Sequence, residues 1–220
     1  MVLIPLNTSD TLQVHGTPAS GKTTLTQLLA QHILQQEPAV QVISVSHWPL
    51  IAVNRIGGWK AYLQHIKGWI QDKRAFFIFD EAHETYGDFG LWSEFFKHLY
   101  DYPHDSHLFA IAFTKYYGSP TSCPTSNIQN APFSVNDSQR VTLRHIDHGD
   151  GFSAVGLLFT PKEFVDLVCK QFPPPEYYFD SSFFKAVFDV TGGHVGAILG
   201  FVMSICRHDV RLSMMLEHVA

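Results

Sequence analysis

The sequence predicts an α/β protein built on a mostly parallel, five-stranded sheet that helices cover on both faces. Two observations carry this prediction. Short runs rich in β-branched or aromatic residues recur along the chain, and segments with an apolar residue every three or four positions lie between them. Strands that alternate with helices are typical of parallel sheets, because each parallel connection needs a long crossover. At 220 residues, 45% of them hydrophobic, the chain is long enough for one such domain with appendages.

The first half of the chain contains three predicted strands and two predicted helices. The strands are Thr11–His15, Val40–Ser46 and Ala75–Phe79. The first helix runs from Lys22 to Gln36, where Pro38 stops it. Its apolar period comprises Leu25, Leu28, Leu29, Ile33 and Leu34. The apolar stripe of the second helix, which should cover the sheet, comprises Trp59, Tyr62, Leu63, Ile66, Trp69 and Ile70.

Two further strands and another helix are predicted before residue 160. The helix is marked by Leu91, Trp92, Phe95, Phe96 and Leu99. The fourth strand is His107–Phe113 and the fifth is Arg140–Ile146, with a loop rich in Pro, Ser and Asn at 118–139 between them. Leu157–Phe159 predicts a short extension of the sheet. Together these elements place a sheet domain at residues 1–160.

Residues 161–220 predict a small C-terminal helical extension. Thr160 and Glu163 form a capping-box pattern that opens a helix through Lys170, with proline at its first position. Helices at Ser182–Val190 and His194–Arg207 follow. Residues 211–220 predict one more helix, which we expect the end of the chain to truncate.

Composition and charge limit the classes of protein to which this chain can belong. The net charge is −5, so no global basic field indicates nucleic-acid binding, and that question stays open. Three widely spaced cysteines indicate a reducing compartment without a CxxC metal site. The longest apolar stretch, Val195–Cys206, is well under the roughly 20 residues of a membrane span. No signal-peptide pattern opens the chain, so we expect an intracellular protein, cytoplasmic or nuclear, that does not contact a membrane.

A phosphate-binding loop is predicted between the first strand and the first helix. Residues 16–23 fit the P-loop pattern G-x-x-x-x-G-K-[ST] without a mismatch. The loop amides and the helix N-terminus would stabilise phosphate charge, Lys22 would reach the β- and γ-phosphates, and the Thr23 hydroxyl would bind Mg²⁺. The residues expected to bind nucleotide are Gly16, Thr17, Pro18, Ala19, Ser20, Gly21, Lys22, Thr23 and Thr24.

Two carboxylates follow the hydrophobic third strand. Asp80 comes at its end, where a carboxylate can approach Mg²⁺ beside the P-loop. Glu81 follows and would orient a water molecule for attack on the γ-phosphate. The alternative is a pair of surface charges that open a helix. His83 fits either a surface hydrogen-bonding group or a residue that senses the γ-phosphate or a partner.

An intervening strand before Asp80 and a glutamate after it resemble the additional-strand, catalytic-glutamate division of P-loop NTPases. The resemblance implies a three-layer fold with strand order 5-1-4-3-2. It also implies that Thr114, with Lys115 beside it, falls where that division keeps a polar sensor of the γ-phosphate. The guanine-specific pattern Asn-Lys-x-Asp is absent from the sequence, so ATP is a better expectation than GTP.

Residues 80–83 read Asp-Glu-Ala-His, letters that also label a class of helicases. Such helicases need a second RecA-like lobe, and the residues after Thr114 show neither a second sheet pattern nor its arginine motif. Three later segments, at 116–120, 156–164 and 190–198, instead resemble the NTPase domain of Crinkler-like and retrotransposon hot spot proteins and, more distantly, STAND ATPases. This resemblance implies an ATPase that powers or switches an attached or partner effector, and it allows secretion into a host if an N-terminal segment is missing.

The sequence leaves competing functions open. The first is Mg²⁺-dependent ATP hydrolysis, in which Glu81 orients water and Lys22 stabilises charge. The second is a nucleotide-gated binding module with negligible hydrolysis, and a kinase is disfavoured because Glu81 follows Asp80. Arg140 and Arg144 are in-chain candidates for an arginine finger. We otherwise expect slow turnover that rises when self-association or a partner supplies a cation.

Three other groupings have simpler interpretations. Residues 145–150 contain two histidines and two aspartates, but a polar turn after a strand explains them without a metal. Thr191–His194 fits either a close approach to nucleotide or a tight turn between helices. An aromatic group near residue 180 is interpreted as core or partner interface, because no lysine or arginine is interleaved for nucleic acid. It comprises Phe172, Tyr177, Tyr178, Phe179, Phe183 and Phe184.

Overall fold

The chain forms an α/β fold whose sheet has five strands, every neighbouring pair of them parallel. The computed structural model describes residues 11–102, 107–115, 139–144, 156–173, 177 and 179–217, with side chains through residue 207. The predicted α/β class and the parallel sheet are therefore confirmed. Within the described residues, no helix combines the length and apolarity that crossing a membrane requires.

The strand order brings three strand ends together. The strands are β1 (Thr11–Gly16), β2 (Gln41–Val45), β3 (Ala75–Phe79), β4 (Leu108–Lys115) and β5 (Arg140–Val141). They lie in the order β2-β3-β4-β1-β5. Because β4 lies between β1 and β3 in a parallel sheet, the carboxyl ends of these three strands meet at one edge. Ligands of open α/β sheets bind at that edge.

Helices and turns connect the strands. In chain order they are α1 (Lys22–Gln36), α2 (Leu50–Arg55), α3 (Trp59–His65), a 3₁₀ turn (Ala82–Gly87), a π-helical segment (Leu91–Phe96), α4 (Lys97–Asp101), α5 (Pro161–Gln171), α6 (Ser181–Thr191) and α7 (Val195–Glu217). Contacts divide the chain into two units. The first unit is Met1–Pro18 with Lys22–Val155, and the second is Ala19–Gly21 with Gly156–Ala220.

The core of the first unit fixes the end of β3. Strand residues alternate between the two faces of the sheet, so Phe77 and Phe79 share one face. Both are fully buried in a cluster with side chains from the segments between β2 and β4, among them Trp48, Leu63 and Phe95. The ring centroids of Phe77 and Phe95 lie 4.9 Å apart and the ring planes are inclined by 75°, which is edge-to-face packing. This packing holds rigidly the strand end from which Asp80 and Glu81 extend.

The second predicted helix is shorter than its apolar stripe indicates. Helix α3 ends at His65, and the Trp69 amide donates to the Leu63 carbonyl at 2.9 Å, which folds the chain back. Trp69 is therefore buried, whereas Ile66 and Ile70 are 60% and 48% exposed. An apolar residue after the end of a helix need not continue the helical face. The prediction that Ile66 and Ile70 cover the sheet was therefore wrong.

Other expectations also change. On α1, Ile33 is buried as expected, but Leu28 and Leu34 are 57% and 47% exposed. The short helix α2 was not predicted, because its six residues are too few for a clear period. Leu157–Phe159 forms no strand. The fifth strand is Arg140–Val141, and Ile146 lies outside the described residues.

The second unit confirms the predicted capping box. Thr160 Oγ1 accepts from the Glu163 amide at 3.3 Å, and Glu163 Oε2 accepts from the Thr160 amide at 2.8 Å. Helices α5 and α6 match their predicted positions within one residue at each end, whereas α7 continues through residues predicted as two helices. The aromatic group packs with the core that Phe164, Val168 and Ile198 form, apart from Tyr178, which lies outside the described residues.

Candidate functional site

The motif residues of the first unit lie at the edge where β1, β3 and β4 end. The register pairs Gly16 with Lys115, so the first residue of the loop lies beside the last residue of β4. Asp80 and Glu81 directly follow β3. Residues far apart in the sequence thus meet because parallel strands end at one edge.

Lys22 is held at the start of α1 by the loop itself. Its Nζ donates to the Gly16 carbonyl at 3.0 Å and to the Thr17 carbonyl at 2.9 Å. Burial lowers the pKa of Lys22, and the charges of Glu81 and Asp80 oppose that shift. An ammonium group has three N–H donors, so one donor remains after these two bonds within the described part of the chain. That donor is suited to an anionic ligand.

The middle of the loop, Ala19–Gly21, belongs to the second unit. Ala19 has φ 58°, a left-handed conformation that is uncommon outside glycine. Its carbonyl accepts a hydrogen bond from the Gly196 amide at 3.1 Å. A Cβ at Gly196 would lie 2.7 Å from that carbonyl oxygen, so a side chain does not fit there. Thr23 and Thr24, which follow in the first unit, are exposed.

The turn after β3 sets the direction of the two acidic side chains. The Asp80 amide donates to the Val45 carbonyl at 2.8 Å, which ties this turn to the end of β2. The Glu81 amide donates to Asp80 Oδ1 at 3.1 Å. Glu81 itself has φ 52° and ψ 39°, the left-handed region. Such strained non-glycine residues concentrate at functional sites, where the surroundings hold them.

Glu81 lies between two basic side chains. Its Oε2 is 3.3 Å from His83 Nδ1 and 3.4 Å from Lys115 Nζ. Burial, and then the charge of Lys115, lower the pKa of His83, so its imidazole is neutral at neutral pH. His83 therefore contacts the carboxylate of Glu81 rather than acting as an isolated surface group. The sequence placed Lys115 beside the sensor position but did not reveal this contact.

Thr114 lies on the other face of the sheet from Lys115, since neighbours on a strand alternate. It is fully buried, and its hydroxyl lies 3.0 Å from His15 Nδ1 on the paired strand. Burial, and then the charge of Arg140, lower the pKa of His15 to about 4. The structure thus brings Thr114 together with His15, a residue that the sequence analysis did not single out.

We expect His15 to make the fold acid-labile. The unfolded chain takes up a proton at His15 below about pH 6.5, but the folded chain does so only below about pH 4. Stability is therefore fully present above pH 6.5 and falls as the pH drops toward 4. His15 alone should account for about 1–2 kcal/mol of the stability lost between pH 7 and pH 5. Urea unfolding at both pH values measures this loss.

The matched variants are His15→Gln and His65→Gln, since His65 is an exposed histidine of the same unit. His15→Gln should shrink the loss between pH 7 and pH 5, whereas His65→Gln should leave it unchanged. An equal loss in the parent and both variants would show that His15 titrates normally in the folded chain.

The donor set fits a magnesium ion held partly by nucleotide. Mg²⁺ prefers oxygen ligands and usually takes only one or two from protein, with phosphate and water as the others. Thr23 offers an exposed hydroxyl at the start of α1, and Asp80 offers a carboxylate after β3. No cluster of three or more His, Cys, Asp or Glu side chains that could hold a metal occurs in the described part of the chain. Residues 145–150 lie outside it.

The remaining candidate features of the sequence and the structure are the two arginines, the glycine pair after α6 and an apolar groove. Arg140 acts electrostatically on His15, and Arg144 is exposed. The glycine pair after α6 forms a tight turn, in which the Phe159 amide donates to the Gly193 carbonyl at 2.9 Å. An apolar groove of about 430 Å³ is lined by α5 and α6 residues, including Phe164 and Phe184. It contains none of the motif residues.

Comparison of the chain with protein-family models and with curated proteins gives no match.

Proposed function

We propose that this chain is an ATP-binding and ATP-hydrolysing P-loop module that depends on Mg²⁺. The observation that carries the proposal is the environment of Lys22. Its ammonium group is bonded to two carbonyls of a loop that fits the P-loop pattern, and Asp80 and Glu81 act on it electrostatically. A strand-loop-helix unit with this lysine at the helix start is suited to binding a triphosphate.

The residues fit the roles that phosphoryl transfer requires. A water oxygen attacks the γ-phosphorus, the bond from that phosphorus to the β–γ bridging oxygen breaks, and ADP leaves with the electron pair. Glu81 accepts the proton of the water, and inorganic phosphate is the other product. Lys22 stabilises the negative charge of the phosphates. Thr23 and Asp80 would hold Mg²⁺, which neutralises charge on the phosphate oxygens when bound.

Two further features support this assignment. The strand order β5-β1-β4-β3-β2 is the one implied by the additional-strand, catalytic-glutamate division. A carboxylate pair after β3, with the glutamate in a strained turn, suits a general base held beside the metal-binding aspartate. By the resemblance to Crinkler-like proteins, ATP turnover would power or switch an attached or partner effector, with ATP preferred over GTP.

One observation favours a second candidate, a nucleotide-gated binding module with negligible hydrolysis. The Glu81 carboxylate lies 3.4 Å from Lys115 Nζ and 3.3 Å from His83 Nδ1, so it has partners of its own in the fold and could serve as a structural carboxylate. The two candidates differ in turnover but not in binding. Measured phosphate release therefore separates them.

We expect the purified chain to release phosphate from ATP only when Mg²⁺ is present. Asp80→Asn should weaken Mg-ATP binding about tenfold, because an amide is a poorer magnesium ligand than a carboxylate. It should leave the weaker, EDTA-resistant binding of ATP unchanged. Fluorescent-nucleotide titrations with Mg²⁺ and with EDTA measure both quantities, and phosphate release measures turnover.

Asp72→Asn is the matched control, since Asp72 is exposed and precedes β3 at the opposite edge of the sheet. If Asp80→Asn and Asp72→Asn bind Mg-ATP like the parent, Asp80 is not a magnesium ligand. If the parent neither binds nor hydrolyses ATP, the proposed function is wrong.

A further inference from the structure

The two carboxylate oxygens of Glu81 differ in their surroundings. Oε2 lies between His83 Nδ1 and Lys115 Nζ, at ion-pair distance from both; it is buried from solvent and makes no hydrogen bond within the described part of the chain. The side chain as a whole is nevertheless 32% exposed. Because Oε2 is enclosed, Oε1 is the oxygen that is available to a water molecule.

We propose that Lys115 is a positioning residue for Glu81: it fixes Oε2 and thereby presents Oε1 to the attacking water. This inference rests on the proposed ATPase function. The sheet places Lys115 for this task, because β4 lies between β1 and β3 and its last residue pairs with Gly16. The ammonium group thus lies at the same edge as the turn that bears Glu81.

The charges identify Lys115 as the principal partner of the carboxylate. Burial and the charge of Lys115 keep the His83 imidazole neutral near pH 7, so His83 contributes a polar contact. Lys115 supplies the formal positive charge. Its charge also lowers the pKa of Lys22, which indicates that both ammonium groups act within one site. Arg140 acts instead on His15, on the other face of the sheet.

Restraining the Glu81 side chain would lower the entropy cost of reaching the transition state. Glutamate has three rotatable side-chain bonds, and its side chain starts here from a left-handed backbone in a short turn. Without a partner the carboxylate would sample many rotamers, and ordering it in the transition state would cost entropy. Lys115 is 38% exposed, so the pair contributes little to stability. Its effect is on the geometry of the reaction.

Lys115 exchanges no proton in this scheme. The water proton goes to Oε1 of Glu81 as the bond from oxygen to the γ-phosphorus forms, and ADP leaves with the electrons of the broken bond. Oε2 stays paired throughout. The contribution of Lys115 should therefore appear in the rate of hydrolysis and not in the affinity for ATP.

Lys115→Met tests this, because methionine keeps the length of the side chain and removes the charge. We expect kcat to fall roughly 100-fold, the effect of misplacing a reacting group by about 1 Å. The Kd for ATP, measured by nucleotide titration, should stay within about threefold, since the triphosphate keeps Lys22. Lys115→Arg should recover most of the rate. Lys73→Met, at an exposed lysine before β3, is the matched control and should behave as the parent.

A double-mutant cycle with Glu81→Gln decides how Lys115 acts. If it acts through Glu81, Lys115→Met added to Glu81→Gln should lower the residual rate no further. If the second change lowers it by the same factor again, or if Lys115→Met weakens ATP but not ADP binding tenfold or more, Lys115 contacts the nucleotide directly and the proposal is overturned. An active parent with an equally active Lys115→Met variant overturns this inference alone. An inactive parent overturns the proposed function.

Discussion

Replacing Lys22 by alanine should reduce the affinity for ATP by about 100-fold or more, which corresponds to about 2.7 kcal/mol or more. The lysine ammonium is fixed by two loop carbonyls and, among the residues that the structure describes, retains one donor, so its position is set before ligand binds. A hydrogen bond from a charged donor to a phosphate is roughly twice as strong as one between neutral groups. Isothermal titration with Mg-ATP measures this loss.

The fold should survive the substitution. Lys22 is buried, and burial lowers its pKa, so removing the ammonium relieves a cost of desolvation while it gives up two hydrogen bonds. We expect the thermal midpoint to change by only a few degrees. Lys22→Arg should restore little affinity, because the planar guanidinium does not match a cradle built for a compact ammonium group. Lys60→Ala, at an exposed lysine of α3, is the control. ATP binding by Lys22→Ala at the parental affinity would refute the assignment of the phosphate loop.

The parts of the fold that could be predicted are those with strong local signals. The β3 run is apolar at every position and is buried at every position, and the capping box at Thr160 has both of its hydrogen bonds. A local pattern fixes such elements because the residues that form them are neighbours in sequence. Helix ends were harder to place. The apolar stripe continues past His65, but a hydrogen bond from the Trp69 amide to the Leu63 carbonyl folds the chain back after the helix, and the spacing of apolar residues does not reveal that bond.

The residues of the site also differ in whether a local sequence pattern predicts them. Lys22, Asp80 and Glu81 were predicted from motifs, since each motif is a short segment with a fixed relation to a strand or helix. The pairing of Glu81 with Lys115 was not, because it depends on which strands are neighbours and on their register. The same holds for His15 with Thr114, which are 99 residues apart. A sequence pattern locates a strand end, but only the assembled sheet shows which side chains of two strand ends meet.

Glu81→Gln should abolish hydrolysis and keep ATP binding. Glutamine has nearly the shape of glutamate but cannot accept the water proton, so we expect kcat to fall about 10²- to 10⁴-fold, the usual contribution of a general base. Affinity for ATP should stay within about threefold, because the phosphates are held by the loop and Lys22. Single-turnover phosphate release and nucleotide titration measure the two quantities separately. Bound ATP should then persist in the variant, where the parent would contain ADP.

The same turn provides the control for this prediction. Glu84 lies three residues further on, and its Oε2 accepts from the Trp48 amide at 3.1 Å and lies 2.8 Å from His47 Nδ1. Its carboxylate therefore binds the segment that follows β2, so Glu84→Gln should change the stability of the fold more than the rate of turnover. If both variants lose hydrolysis equally, the loss reflects disruption of the turn and not removal of a base. If Glu81→Gln hydrolyses ATP at the parental rate, another group must accept the proton, and the anchoring role of Lys115 would have no catalytic meaning. Loss of hydrolysis in Glu81→Gln alone, with ATP still bound, is the result that distinguishes a general base from a structural carboxylate.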